Sequence, residues 1–168
     1  MNTEKTSCTI RKATVDDAET IHFFIEKIAE YERLSDQVQS TSENIRKYGF
    51  GQRPYFETLL CEIDKERKRA VGFALYFFTY STFTGKPSLY LEDLFVLQEY
   101  RGRGYGKALF MELVKIASNL DCGRMEWSVL DWNEPAIKFY LSLGAIPMSE
   151  WTVYRLDEKT LKSLAGKG

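Results

Sequence analysis

Residues 100–107 read Tyr-Arg-Gly-Arg-Gly-Tyr-Gly-Lys, between an apolar strand-like run ending near Val96 and a helix-like run starting near Tyr105. That position suits an anion. The first N–H groups of a helix have no intrahelical acceptor and lie at the positive end of its macrodipole, so a phosphate is stabilised there. Glycines at alternate positions let the backbone approach the ligand, while Arg101 and Lys107 add positive charge. A P-loop is excluded, because Arg101 stands where its first glycine should be and Ala108 offers no magnesium ligand. A dinucleotide fingerprint starting at Gly102 would need glycine at 107, which is Lys107. A second feature lies upstream: Glu92 and Asp93 interrupt the apolar run 88–96, where carboxylates are conspicuous.

The elements that must carry these groups follow from periodicity. Thr9–Ala13 reads as a strand, and Thr14 with Asp17 resembles a capping box opening a helix. Ile21, Phe24, Ile25 and Ile28 recur at helical spacing as far as Tyr31. A shorter helix spans Ser42 to Tyr48, stopped by Gly49. Thr58–Ile63 and Ala70–Tyr80 read as a hairpin around the charged turn 64–68, and Ser88–Val96 as the next strand. Tyr105–Leu120 returns to helix, Arg124–Leu130 to strand, and Asn133–Leu143 to a helix ended by Gly144. Trp151–Leu156 closes the sheet before a polar, frayed tail at 157–168. The expectation is one α/β domain over 1–168, its core at about 9–156, with a crossover after the central strand.

Composition narrows the function. With 23 basic and 24 acidic side chains the formal net charge is −1, which lacks the basic footprint of a nucleic-acid binder. The first thirty residues carry no signal-peptide pattern, and no run reaches the about 18–20 apolar residues of a membrane helix, so a cytoplasmic protein is expected. Cys8, Cys61 and Cys122 are odd in number and widely spaced, which argues against disulfides and a CxxC metal site. His22, the single histidine, sits beside Phe23 and Phe24 in the first helix and reads as structural.

Three segments together resemble one family. Tyr-Leu-Glu-Asp-Leu-Phe-Val (90–96), Tyr-Arg-Gly-x-Gly-x-Gly (100–106) and Asp-Trp-Asn-Glu-Pro-Ala-Ile-x-Phe-Tyr (131–140) resemble the GNAT superfamily of N-acetyltransferases, in the diamine branch of spermidine/spermine and thialysine acetyltransferases. The resemblance implies a mixed, mostly antiparallel sheet of about six to seven strands, with helices on both faces and a central cofactor cleft. It implies acetyl-coenzyme A as cosubstrate, no metal, a small-molecule amine as acceptor, and a homodimer. Cofactor contacts then fall to the backbone of Leu94, Phe95 and Val96, to Arg101, Gly102, Arg103, Gly104, Tyr105, Gly106 and Lys107, and to Asn133 and Tyr140. Asn133 is equally well explained as a helix cap.

The chemistry requires a neutral amine and a proton for the departing thiolate. Alkyl ammonium groups have pKa values near 10, so a base must act before attack. Glu92 is the candidate, directly or through water, with partial burial raising its carboxyl; its other readings are an exposed strand residue or a substrate anchor. The resemblance makes Tyr140 the acid, a phenol that stays protonated at neutral pH. Cys61 and Cys122 have no adjacent base, so direct transfer is preferred over an acetyl-cysteine. Acceptor contacts are expected at Glu30, Glu32 and Asp36, at Ser81 and Phe83, and at Glu92 and Asp93. Ser81-Thr82-Phe83 stands where spermidine/spermine enzymes carry Asp-Pro-Trp, and with Leu34–Val38 and Val129–Asn133 it looks like the thialysine branch. The alternatives are a non-catalytic acetyl-coenzyme A sensor and a protein or peptide acetyltransferase.

Overall fold

The computed structural model describes residues 8–63 and 69–166. The charged turn at 64–68 lies outside the described residues. Two compact units divide the chain, Met1–Ser128 and Val129–Gly168.

The first unit carries one sheet. Strands β1 (Thr9–Lys12), β2 (Glu57–Ile63), β3 (Arg69–Ser81), β4 (Lys86–Val96) and β5 (Arg124–Trp127) lie in sequence order. The first four pair antiparallel, and β5 joins β4 in parallel through the crossover helix α3 (Tyr105–Asn119). Helices α1 (Ala18–Glu32) and α2 (Ser42–Phe50) cover one face, where Ala18, Ile21, Phe24 and Ile45 pack with Leu60, Phe73, Leu75 and Phe95. The rings of Phe24 and Phe73 stack at 5.1 Å. The adjacent Gly72 points the other way: a Cβ there would meet Leu109 Cδ1 at 3.3 Å, so α3 covers the opposite face.

Local chemistry fixes the entry to α1. The Thr14 N–H donates to Asp17 Oδ2 at 2.7 Å, and Arg11 on β1 bonds both Asp17 oxygens and Glu62 Oε1 on β2 at 2.7 Å. The helix ends where Arg33 turns left-handed (φ 62°) and donates to Ala29 and Glu30 carbonyls. Gly49 does not stop α2, which runs on to Phe50. Its lack of a side chain serves packing instead, since a Cβ would lie 2.7 Å from the Phe56 ring.

The second unit holds α4 (Glu134–Ser142) and α5 (Glu158–Ala165). Here two expectations fail. The described sheet has five strands, not six to seven, because Trp151–Leu156 has strand-like composition but joins no ladder; Trp151, Val153 and Tyr154 are 71%, 83% and 90% exposed. The expected frayed tail contains α5, whose first turn is capped by Asp157 Oδ1 accepting from the Thr160 N–H at 2.8 Å. Strand β5 also ends at Trp127 rather than Leu130.

Phe24 is fully buried against Phe73. Truncating Phe24→Ala should cost about 3–5 kcal/mol in urea unfolding, with an unchanged m-value. A loss below about 1 kcal/mol would mean that the α1–sheet core is not the stabilising centre.

Candidate active site

The carboxylate pair owes its placement to one extra residue. Leu75 pairs with Asp93, but the next residue, Tyr76, pairs with Leu91, so Glu92 has no counterpart on β3. Such a bulge breaks the alternation of side chains. Asp93 follows Phe95 and Leu75 onto the α1 face, and Glu92 interacts electrostatically with it there. Simple alternation would have sent the two to opposite sides. Asp93 is half-buried, whereas Glu92 is exposed. Burial, then the charges of Glu92 and Glu32, push the Asp93 carboxyl up to about 7. Glu32, at the end of α1, is also raised by burial.

Glu32 and Asp93 line a hollow of about 330 Å³ with Ile25, Ile28, Leu34 and Val38. Its outer wall is the segment 34–40 that follows α1. His22 secures that wall through a 2.8 Å hydrogen bond between Nε2 and the Ser40 carbonyl, which gives the single histidine its structural role. The Ser40 hydroxyl itself is buried and has no hydrogen-bond partner among the described residues. The combination of aliphatic side chains with two carboxylates is chemically suited to an alkyl cation. Of the other acceptor residues expected, Glu30 is exposed and salt-bridged to Lys27 at 2.8 Å, and Asp36 is exposed. Ser81 is buried, its hydroxyl accepting from the Thr84 N–H in the β3–β4 turn. Phe83 lies 92% exposed on that turn. None of these four lines the hollow.

The glycine turn meets the requirements of a phosphate site. Gly102 and Gly104 have φ of 75° and 88°, and an added Cβ would touch nothing at either, so glycine is needed there for conformation. Gly106 differs. Its φ is not left-handed, and a Cβ would make only an ordinary 3.8 Å contact with Val96. Among the described residues neither backbone conformation nor crowding calls for glycine at 106, and its bare Cα leaves room for close approach of a ligand. The first backbone bond into α3 runs from Ala108 to the Gly104 carbonyl, so the N–H groups of Tyr105, Gly106 and Lys107 precede the helical ladder. Tyr105 is buried and anchors the turn, while Lys107 is exposed. Arg101 departs from expectation: its Nε donates to the Val96 carbonyl at 2.9 Å, and its guanidinium lies over Tyr31 and Phe95. Arg103 and Arg69 both lie 5.3 Å from the Tyr100 ring centre. Arg69, 31 residues upstream of the ring, carries no sequence signal for this role.

The sheet opens beside this turn. Strand β5 pairs with β4 only from Ser88 to Leu91, whereas β4 continues to Val96. Among the described residues, positions 92–96 therefore have no strand partner on the β5 side, and an extended chain bearing amides is chemically suited to that edge. The Val96 carbonyl on this stretch already accepts from Arg101 Nε.

In the second unit, Asn133 caps α4, its Oδ1 accepting from the Ala136 N–H at 3.4 Å. Tyr140 lies two turns on, beside Phe139 with ring centres 5.3 Å apart. Burial pushes its phenol up to about 12, so it is a proton donor throughout the neutral range. Burial likewise raises the thiols of Cys61 and Cys122, which makes both poor nucleophiles. Among the described residues no group of three or more His, Cys, Asp or Glu is placed to hold a metal ion, and no helix is long and apolar enough to cross a membrane.

Comparison with known proteins adds an independent line. The model of the acetyltransferase (GNAT) family matches residues 17–145. A thialysine N-epsilon-acetyltransferase of Sus scrofa is 39% identical over 96% of this chain and 99% of its own length. An L-ornithine N5-acetyltransferase of Arabidopsis thaliana is 30% identical over 92% of this chain and 86% of its own. Among solved structures, an integron cassette protein from the mobile metagenome of V. cholerae superposes with a TM-score of 0.77 at 26% identity, covering 95% of this chain and 98% of that one.

The raised Asp93 carboxyl has a consequence for stability. Its folded pKa of about 7 stands above the ordinary 3.8, so the native state binds the extra proton between those values. Stability is therefore greatest below about pH 4 as far as this group is concerned, and falls as pH rises towards 7. Asp93→Asn should stabilise the fold progressively over that window and by a constant amount above it, read from urea midpoints between pH 4 and 8. A pH-independent difference would show that Asp93 does not titrate there.

Proposed function

This chain belongs to the acetyltransferase (GNAT) family, and we propose that its acceptor is a short aliphatic primary amine of the thialysine, lysine or ornithine type. It transfers acetyl from acetyl-coenzyme A to an amine. The observation that carries the acceptor class is the hollow in which Glu32 and Asp93 lie beneath an apolar wall, since a methylene chain ending in an ammonium group matches both features. Ser40 and the amides of Gln37 and Gln39 are suited to the acceptor's polar substituents. The family match runs from 17 to 145 and so spans both units, which supports reading 1–168 as one acetyltransferase domain.

Acetyl-coenzyme A supplies an acetyl group activated as a thioester. The turn 102–106 and the first N–H groups of α3 are assigned to its phosphates, and the open backbone edge at Leu94 and Phe95 to its pantetheine amides. Asn133 is assigned to the same arm besides its capping role. Asp93 and Glu32 hold the acceptor ammonium, whose charge draws the Asp93 carboxyl back to its ionised form. Glu92, exposed at the bulge, takes the ammonium proton and passes it to solvent. Tyr140 Oη donates the proton that the departing sulfur needs. We also propose a cytoplasmic homodimer, for which the exposed Ile146, Trp151, Val153 and Tyr154 offer apolar surface; sedimentation at micromolar concentration reads the dimer.

Incubation with acetyl-coenzyme A and a panel of thialysine, lysine, ornithine, spermidine, spermine and acceptor peptides tests the acceptor. Thiol release should be fastest with the first three. Preference for spermine or a peptide would overturn this acceptor class, and coenzyme binding without amine-dependent release would make the protein a sensor. Tyr140→Phe should lower turnover about 10²–10⁴-fold with coenzyme affinity unchanged. Wild-type turnover would remove Tyr140 from the proton-donating role.

A further inference from the structure

Arg101 opens the phosphate turn, yet its side chain joins two other elements. Nε donates to the Val96 carbonyl at 2.9 Å. The guanidinium carbon lies 4.6 Å from the ring centre of Tyr31 and 5.1 Å from that of Phe95, and the two rings meet edge to face at 6.2 Å. Tyr31 sits in the last turn of α1, directly before Glu32. Phe95 lies two residues beyond Asp93 on the same face of β4. One planar cation thus links the coenzyme turn to the backbone and side chain of β4 and to the helix end that carries Glu32 into the hollow.

We propose that Arg101 is a positioning residue that couples coenzyme binding to acceptor binding, by clamping the end of α1 and its Glu32 against β4. The inference rests on the acetyltransferase reading and deepens it. Phosphates bound at 102–106 order the turn and, with it, the stem of Arg101. The guanidinium then holds Tyr31 in one place, and an acceptor arriving at Glu32 and Asp93 no longer bears the ordering cost of that helix end. By linkage the acceptor tightens coenzyme binding by the same factor. Arginine is required because the contact needs a flat cation against aromatic faces together with an Nε–H aimed at a carbonyl. Lysine has a compact ammonium and no such fork.

Arg103 supplies a control of equal charge. Its guanidinium also leans on an aromatic ring, but that ring is Tyr100 and its Nη2 bonds the Glu99 carbonyl at 3.3 Å, so its contacts stay within the turn's own segment. Loss of Arg103 removes charge near the phosphates without touching α1.

The test is calorimetric binding of thialysine, lysine and ornithine to the full chain, with and without saturating coenzyme A, so that no turnover is needed. In the wild type, coenzyme A should tighten amine binding about tenfold. Arg101→Met and Tyr31→Leu should each bring that factor to about one, the double variant should lose nothing more, and Arg101→Lys should not restore it. Arg103→Met should weaken coenzyme A yet keep the factor. In turnover, Arg101→Met should raise the amine KM about tenfold while kcat stays within about threefold. The proposal is overturned if the wild-type factor is one, if Arg101→Met weakens coenzyme A alone and the factor persists, or if Tyr31→Leu leaves it intact. A wild type that bound no coenzyme A would instead bring down the acetyltransferase reading, and this proposal with it.

Discussion

Strands β3 and β4 stay paired over most of their length, but at Glu92 the two ladders differ by one residue, and that mismatch sets the geometry of the site. In a regular strand, neighbouring carboxylates would lie on opposite faces, one against α3 and one against α1. Alternation from Phe95 puts Asp93 on the α1 face, and the bulge leaves Glu92 beside it and exposed, just past the point where pairing with β5 ends. A single inserted residue therefore brings two neighbouring carboxylates together at the point where the pairing of β4 with β5 stops.

The electrostatics follow from that placement. Asp93 is crowded by Glu92 and Glu32 in a partly apolar setting, which disfavours its charge until a cation arrives. The protein tolerates this arrangement because the core behind it is well packed: Phe24 on Phe73, with Phe95 in the same cluster. The phosphate turn shows the converse polarity, with backbone N–H groups and arginines gathered a few residues past the carboxylates. Positive charge at 101–107 and negative charge at 32 and 93 are complementary to the anionic coenzyme and cationic amine of the proposed reaction.

Much of this was legible in the residues themselves. Helical periodicity located α1 and α3, turn residues bounded the hairpin strands, and the glycine spacing singled out the turn, because each of these signals is local. What escaped reading depends on partners distant in the chain. The bulge is a relation between β4 and β3, so alternation within β4 alone could not place Glu92 beside Asp93. The contact of Arg101 with Tyr31 gave no local signal, because that ring lies 70 positions upstream. Ser81 read as an acceptor contact, but its hydroxyl closes a turn. Trp151–Leu156 has the side chains of a strand, and composition says nothing about whether a ladder is there to receive it.

In the proposed reading the coenzyme phosphates lie at 102–106, against a Gly106 that carries no side chain. The most direct test is a calorimetric titration of the wild type and of Gly106→Val with coenzyme A and with pantetheine, which has the same thiol arm and no phosphates. The wild type should bind coenzyme A about a hundredfold or more tighter than pantetheine, and Gly106→Val should abolish that advantage while the fold persists. Equal affinity of the wild type for the two ligands would contradict the account.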